Sequence, residues 1–205
     1  MKLVCEGLDL FDAVVKVSKG ASNKTTNPIL EGIKLTCDED YLLLRATDEI
    51  LSIEKKIRAE VKMEGETVVP GKFFSEYTRK LTNEQIELSL NEKNVLTIKY
   101  TDSVGSIQCL DPKEFPVAKQ IEDGDYFEIK QIDFKNLINK TIFAVAQDDI
   151  RPILKGCLLE VKGNEIKSVA LDGFRIAVMK KEISAKTGDF RVTVPARSLS
   201  EISKL

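Results

Sequence analysis

Residues 8–35 return at 132–159, in the same order and without a gap, 124 positions further along the chain. Pro28, Ile29, Leu30 and Gly32 reappear as Pro152, Ile153, Leu154 and Gly156, Lys16 as Lys140, and Ala46-Thr47-Asp48 as Ala170-Leu171-Asp172. Val69-Pro70-Gly71-Lys72 reappears as Val194-Pro195-Ala196-Arg197, one residue further on. This spacing exceeds the roughly 20–50-residue period of a solenoid, so it marks one small domain duplicated. The expected units are 1–124 and 125–205. The first copy runs on for over forty residues past its second helix, whereas the sequence stops at Leu205 just behind the equivalent helix. The second unit is therefore expected to be incomplete and to lack its last strands.

A unit of this length buries roughly two-thirds of its unfolded surface, enough for its own core. With 42% apolar and 31% charged residues, the chain has the composition of a soluble globular protein. No apolar run approaches the ~20 residues of a membrane span and no basic-then-apolar leader opens the chain, so a cytoplasmic protein is expected. The four cysteines (Cys5, Cys37, Cys109 and Cys157) are scattered, without a CxxC pair or a histidine beside them. They read as buried reduced thiols, with no metal and no cofactor expected. The sequence contains no histidine at all. That removes the commonest general base near neutral pH and leaves only carboxylate or lysine chemistry open to an enzyme.

Within the first unit, residues 2–6 read as a strand. Residues 8–20 read as a helix with Phe11, Val14, Val15 and Ser18 on one stripe, acids early and lysines late as the helix dipole favours. Residues 30–37, 41–47, 50–59 and 67–69 read as strands, and 71–81 as a second helix with Phe73, Phe74, Tyr77 and Leu81 on its apolar face. Residues 85–90, 95–100 and 105–110 alternate as an antiparallel meander. The fold class is α+β, each unit being two helices packed on one face of an antiparallel sheet.

The net charge of −2 does not suggest a polyanion as partner, but its distribution does. Charges sum to +1 over 8–24, +2 over 71–81, zero over 132–151 and +1 over 196–205, leaving −6 elsewhere. Lysines on a helix usually mark only a solvated face. Here Lys16 and Lys140, and likewise Lys72 and Arg197, are basic at matched positions in both copies. A basic helical layer opposite an acidic sheet suits contact with phosphates, and so without sequence preference.

Several segments together carry a family resemblance. In the first copy they are Asn27-Pro28-Ile29-Leu30, Ala46-Thr47-Asp48, Thr67-Val68-Val69-Pro70 with Lys72-Phe73-Phe74, and Leu110-x-Pro112-x-x-Phe115-Pro116. In the second they are Gln147-Asp148-Asp149-Ile150-Arg151, Ala170 through Arg175, and Val194-Pro195-Ala196-Arg197. The chain resembles the bacterial DNA polymerase III beta subunit family of sliding clamps along its whole length. That resemblance implies a head-to-tail homodimeric ring of three-unit chains, with helices inside and sheets outside. It implies a non-catalytic processivity factor that encircles duplex DNA and tethers polymerase. The third unit would be absent here.

The resemblance also implies roles for individual residues. Lys24, Arg151 and Arg197 match basic residues on the DNA-facing surface, which Lys16, Lys140 and Lys72 would share. Asp148 departs from the family, which often has glutamine there. Leu154, Leu171, Gly173, Phe174, Arg175 and Ile176 match one wall of a pocket for short peptides from polymerase, clamp loader and repair proteins. Phe174 stands where the family often has histidine. Lys72 and Ile107 match the surface that meets the partner chain. The competing reading from residues alone is a carboxylate- or lysine-dependent enzyme, with Asp48 and Asp172 as an acid pair. Their recurrence at equivalent turns argues instead for a shared structural role. Asp148 and Asp149 lack the clustered oxygen ligands of a cation site.

Overall fold

The computed structural model describes residues 1–22, 25–81, 84–101, 103–117, 124–148 and 150–204. The chain divides into two compact units, Met1–Lys119 and Gln120–Leu205. The first contains β1 (Lys2–Glu6), α1 (Gly7–Val17), β2 (Gly32–Asp38), β3 (Tyr41–Thr47), β4 (Ser52–Arg58), β5 (Glu60–Met63), β6 (Gly65–Pro70), α2 (Gly71–Thr78), β7 (Gln85–Leu90), β8 (Val95–Tyr100) and β9 (Ser103–Gln108).

These strands form two antiparallel sheets, ordered β4-β3-β2-β6 and β5-β1-β7-β8-β9. The α+β class stands, with the sheet divided in two. The division comes from residues 50–63. The run that reads as one strand ends at Arg58, and the chain re-forms as β5 against β1, pairing Leu3 with Val61. Gly65 returns it to the other sheet at φ +151, where a Cβ would lie 3.0 Å from that of Met1. Alternation then supplies the core. Leu35 and Leu44 face inward from one sheet, Leu88 and Ile98 from the other, all fully buried.

α1 packs on β3, β4 and α2. Its buried stripe is Leu10, Ala13, Val14 and Val17. Phe11 is only half-buried and Val15 is exposed, so the apolar face is rotated about one residue from the stripe read in the sequence. Ser18 ends the helix by donating its hydroxyl to the Val14 carbonyl at 2.6 Å. The second helix, α2, ends at Thr78, short of the 71–81 read in the sequence. In it Phe74 is fully buried, and Leu81 beyond its end is nearly so, but Phe73 is 52% exposed and stacks on Tyr77 at 6.2 Å. Adjacent helical residues point about 100° apart, so Phe73 and Phe74 cannot share a face. A small satellite core joins Ile29, Leu30, Val68 and Phe115, with Leu110 against them and bridged to Val68.

The second unit contains β10 (Phe127–Glu128), α3 (Gln131–Asn139), β11 (Gly156–Lys162), β12 (Glu165–Leu171), β13 (Ile176–Glu182), β14 (Ala185–Lys186), β15 (Phe190–Pro195) and α4 (Ala196–Ile202). Its sheet order, β13-β12-β11-β15, repeats β4-β3-β2-β6. The register repeats too. Leu35 pairs with Leu44 in one copy, and Leu159 with Ser168, each 124 positions on, in the other. The cores differ at one point. Thr141 and Ser168 hydroxyls meet at 2.8 Å beside buried Cys157, where the first unit has Val17, Leu44 and Ile33.

All four thiols are buried, and burial pushes the Cys5 thiol up to about 12. At pH 8 the native chain should give no thiol signal with Ellman's reagent, and all four should titrate in guanidinium. Phe74→Ala should cost about 3–5 kcal/mol, read as a lower urea midpoint for the first unit's transition.

Candidate nucleic-acid interface

The outward stripe of α1 holds Asp12, Val15 and Lys16, with Lys19 in the 3-10 turn that follows. The Lys16 ammonium donates to the Asp12 carboxylate at 2.9 Å, and Lys55 reaches the same carboxylate from β4. These two contacts, Lys55 first, hold the Asp12 carboxyl below its usual range. Lys72, second residue of α2, is exposed and lines a polar hollow of about 240 Å³ with Ser18, Ser22 and Ser75. Lys16 and Lys72 thus lie on two helices packed together in the first unit. The second unit repeats the arrangement. Lys140 follows α3 and Arg197 is the second residue of α4, both exposed, on helices that also pack together. Arg151 is exposed ahead of the 152–155 turn. Lys24 and Asp149 lie outside the described residues. Asp148 caps its own loop, accepting from the Ile150 amide at 3.2 Å.

Sequence reading missed Lys55 and Lys181. Lys181 ties β13 to α3 through Asp133 at 2.8 Å, much as Lys55 ties β4 to α1. Both sit on strands, where the helix-by-helix charge count did not look.

On the other side of the second sheet, Leu154 and Leu171 share a hollow of about 400 Å³ with Ile153, Leu158, Val169 and Thr193. Leu158, Val169 and Leu171 occupy outward strand positions that in the first copy hold Lys34, Arg45 and Thr47. There, Lys34 pairs with Glu66 at 2.7 Å and Arg45 with Glu54 at 2.9 Å. At two of these positions one copy therefore carries paired charges and the other apolar side chains. Laying the two copies side by side could have found Leu158 and Val169.

Gly173, Phe174 and Arg175 form the turn from β12 to β13 and do not line that hollow. The Asp172 carboxylate accepts from the Phe174 amide at 3.0 Å, the Arg175 amide at 3.1 Å and the Arg175 guanidinium at 2.9 Å. The Phe174 amide is the largest cause holding this carboxyl below its ordinary value. Gly173 takes φ +92, a left-handed conformation cheap only for glycine. Phe174 is 99% exposed and Ile176 66% exposed, while Arg175 lies over the Phe143 ring at 5.7 Å. Asp48 does the same work in the first copy, accepting from the Ile50 amide at 3.0 Å and the Leu51 amide at 2.6 Å. The two aspartates are turn caps, each accepting two backbone amides.

β9 forms a sheet edge, but Ile107 on it is only 5% exposed and belongs to the core. Its side chain is turned inward by strand alternation. Beside that edge, Phe73, Tyr77, Tyr100 and Ser103 line a hollow of about 420 Å³. Gly105 leaves room for the Tyr77 hydroxyl, which a Cβ there would meet at 2.1 Å. Among the described residues no three His, Cys, Asp or Glu side chains cluster as a metal site.

Two family models match. One, described as DNA polymerase III beta subunit, N-terminal domain, covers residues 1–119, and the other, central domain, covers residues 128–205. The chain is 34% identical over 209 residues to the beta sliding clamp of Halalkalibacterium halodurans, covering 96% of this chain and 55% of that protein. It is 31% identical over 214 residues to that of Bacillus subtilis, covering 100% and 57%. The solved DNA polymerase sliding clamp from Bacillus subtilis superposes with a TM-score of 0.94 at 31% identity, over 100% of this chain and 56% of that one. The chain thus spans a little over half the length of the curated relatives it matches.

The Asp172 cap supplies a pH test. A carboxyl whose folded pKa is depressed contributes fully above its unfolded value and is lost as pH falls through the folded one. In NMR spectra the Phe174 and Arg175 amide shifts should hold as pH falls to ~3.9, the ordinary aspartate value, and move only below it. Asp172→Asn should abolish that low-pH transition.

Proposed function

The chain belongs to the DNA polymerase III beta subunit family, and on that premise we propose that it is part of a sliding clamp, a non-catalytic processivity factor that holds polymerase on duplex DNA. The observation that carries this reading is the duplicated cationic helical layer. Lys16 and Lys72 in one unit, and Lys140 and Arg197 in the other, stand at matched positions on paired helices. Lys24 and Arg151 add loop cations to the same proposed surface. No base-reading element accompanies them, so the contacts are with phosphates and indifferent to sequence.

If about four cations each neutralise one phosphate, the salt slope is near −3.6, and affinity falls roughly a hundredfold between ~50 and ~200 mM salt. Contacts this weak exchange quickly, which sliding requires. Retention then comes from encirclement, through a homodimer of chains completed by a third unit. The β9 edge with Ile107, and Lys72 near it, is the proposed meeting face for the partner chain.

The apolar hollow at Leu154 and Leu171, with Gly173, Phe174, Arg175 and Ile176 at its margin, is the proposed seat for short apolar peptides. Polymerase, clamp loader and repair proteins would carry them. Exposed apolar area on an otherwise charged sheet supports that assignment. Among the described residues no helix is long and apolar enough to cross a membrane, and the proposed place of work is the cytoplasm.

The test compares the 205-residue chain with a form extended through a third unit, loaded on closed-circular and linearised plasmid. Only the extended form should stay on closed circles and run off cut ends. Equal retention of both forms, or no loss on linearisation, overturns encirclement for this chain.

A further inference from the structure

We propose that Asp12 is a brake on the first unit's grip, holding the Lys16 and Lys55 ammonium groups away from DNA phosphates. This inference rests on the clamp reading and concerns how evenly the two units hold the duplex. Asp12 lies on the outward stripe of α1. It accepts from Lys16 one turn on at 2.9 Å, and from Lys55 reaching across from β4. The side chains of Lys16, Lys55 and Asp12 are 49%, 30% and 43% exposed, so a passing phosphate can compete for either lysine. Exposed ion pairs of this kind add little to stability. A carboxylate gripping two lysines on the one face proposed to meet a polyanion is therefore poorly explained as scaffold.

The duplication supplies an internal control. Where the first unit has Asp12, the second has Asn136, and where the first has Lys55, the second has Met179. Lys140 keeps the place of Lys16 and has no carboxylate partner among the described residues. Among the described residues, the first of the two homologous helices carries a carboxylate bound to the lysine one turn on, whereas in α3 Asp133 holds Lys181 of β13 and leaves Lys140 to phosphate. A cation already neutralised by a carboxylate releases less of the DNA counterion atmosphere on binding, and so contributes less affinity and less salt dependence. The first unit then holds the duplex more loosely than the second. The Asp12 carboxyl, kept below its usual range by the same two lysines, stays charged throughout the working pH range.

The experiment measures fluorescence anisotropy of a labelled duplex of arbitrary sequence, across ~50–200 mM salt, with the 205-residue chain. Asp12→Asn copies the residue of the second unit. It should tighten binding about three- to tenfold at ~0.1 M salt and steepen the log–log slope by about one. The gain should vanish in D12N/K16A/K55A. Lys16→Ala should cost more affinity in the D12N background than in the wild type, a coupling that a simple change of net charge does not produce. Glu60→Gln, on β5 away from the helices, should change nothing, and thermal melts of each variant check folding. Unchanged affinity in D12N, or a gain that persists in the triple variant, overturns the brake and leaves the clamp reading standing. Failure of both wild type and D12N to bind duplex at the lowest salt removes the proposed DNA face itself.

Discussion

Burial of one helical stripe governs the surface chemistry of either unit. Leu10, Ala13, Val14 and Val17 must leave water together, and β3 and β4 are where they do so. Each fully buried aliphatic side chain contributes about 1.5–3 kcal/mol, far more than any exposed ion pair on the same helix. The rotation of α1 is therefore set from inside. Asp12, Lys16 and Lys19 face outward because the apolar residues face in. The same constraint acts on α3 through Leu137 and Ile138, and brings Lys140 to the matching place.

Once helix rotation and strand register are shared, the two copies differ chiefly in what they hang on a common frame. Outward positions that are Lys34, Arg45 and Thr47 in one sheet are Leu158, Val169 and Leu171 in the other. Lys34 and Arg45 are held in cross-strand ion pairs, and the second set lines a hollow. In the first unit the corresponding neighbourhood, Leu30 and Val68, is covered by Leu110 and Phe115 of the same chain. Inside the second unit a hydroxyl cluster at Thr141 and Ser168 replaces aliphatic packing. It is tolerated because Thr141 also donates to the Leu137 carbonyl at 2.9 Å, so neither hydroxyl of the pair goes without a partner. Duplication thus let function diverge at positions that do not carry the fold.

Much of this was legible beforehand. Period-2 alternation located β7 and β8, and β-branched and leucine content located β3, at their observed bounds. The turn chemistry of Asp48 and Asp172 pointed to structure over catalysis. Phe73 was misjudged because a helix only two turns long offers too few apolar residues to distinguish neighbouring stripes. Lys55 escaped notice because its partner, Asp12, is 43 residues away in sequence and adjacent only after α1 settles on β4.

The order of residues alone settled the duplication, the α+β class, the inward-facing aliphatic set and the matched cations, since each depends on periods of 2, 3.6 or 124 residues written along the chain. Folding in three dimensions settled the division into two sheets, the rotation of each helix and the partners of each charge. It also settled which apolar side chains stay in water. Those outcomes depend on which distant segments win the competition to bury surface, and a one-dimensional pattern does not record that contest.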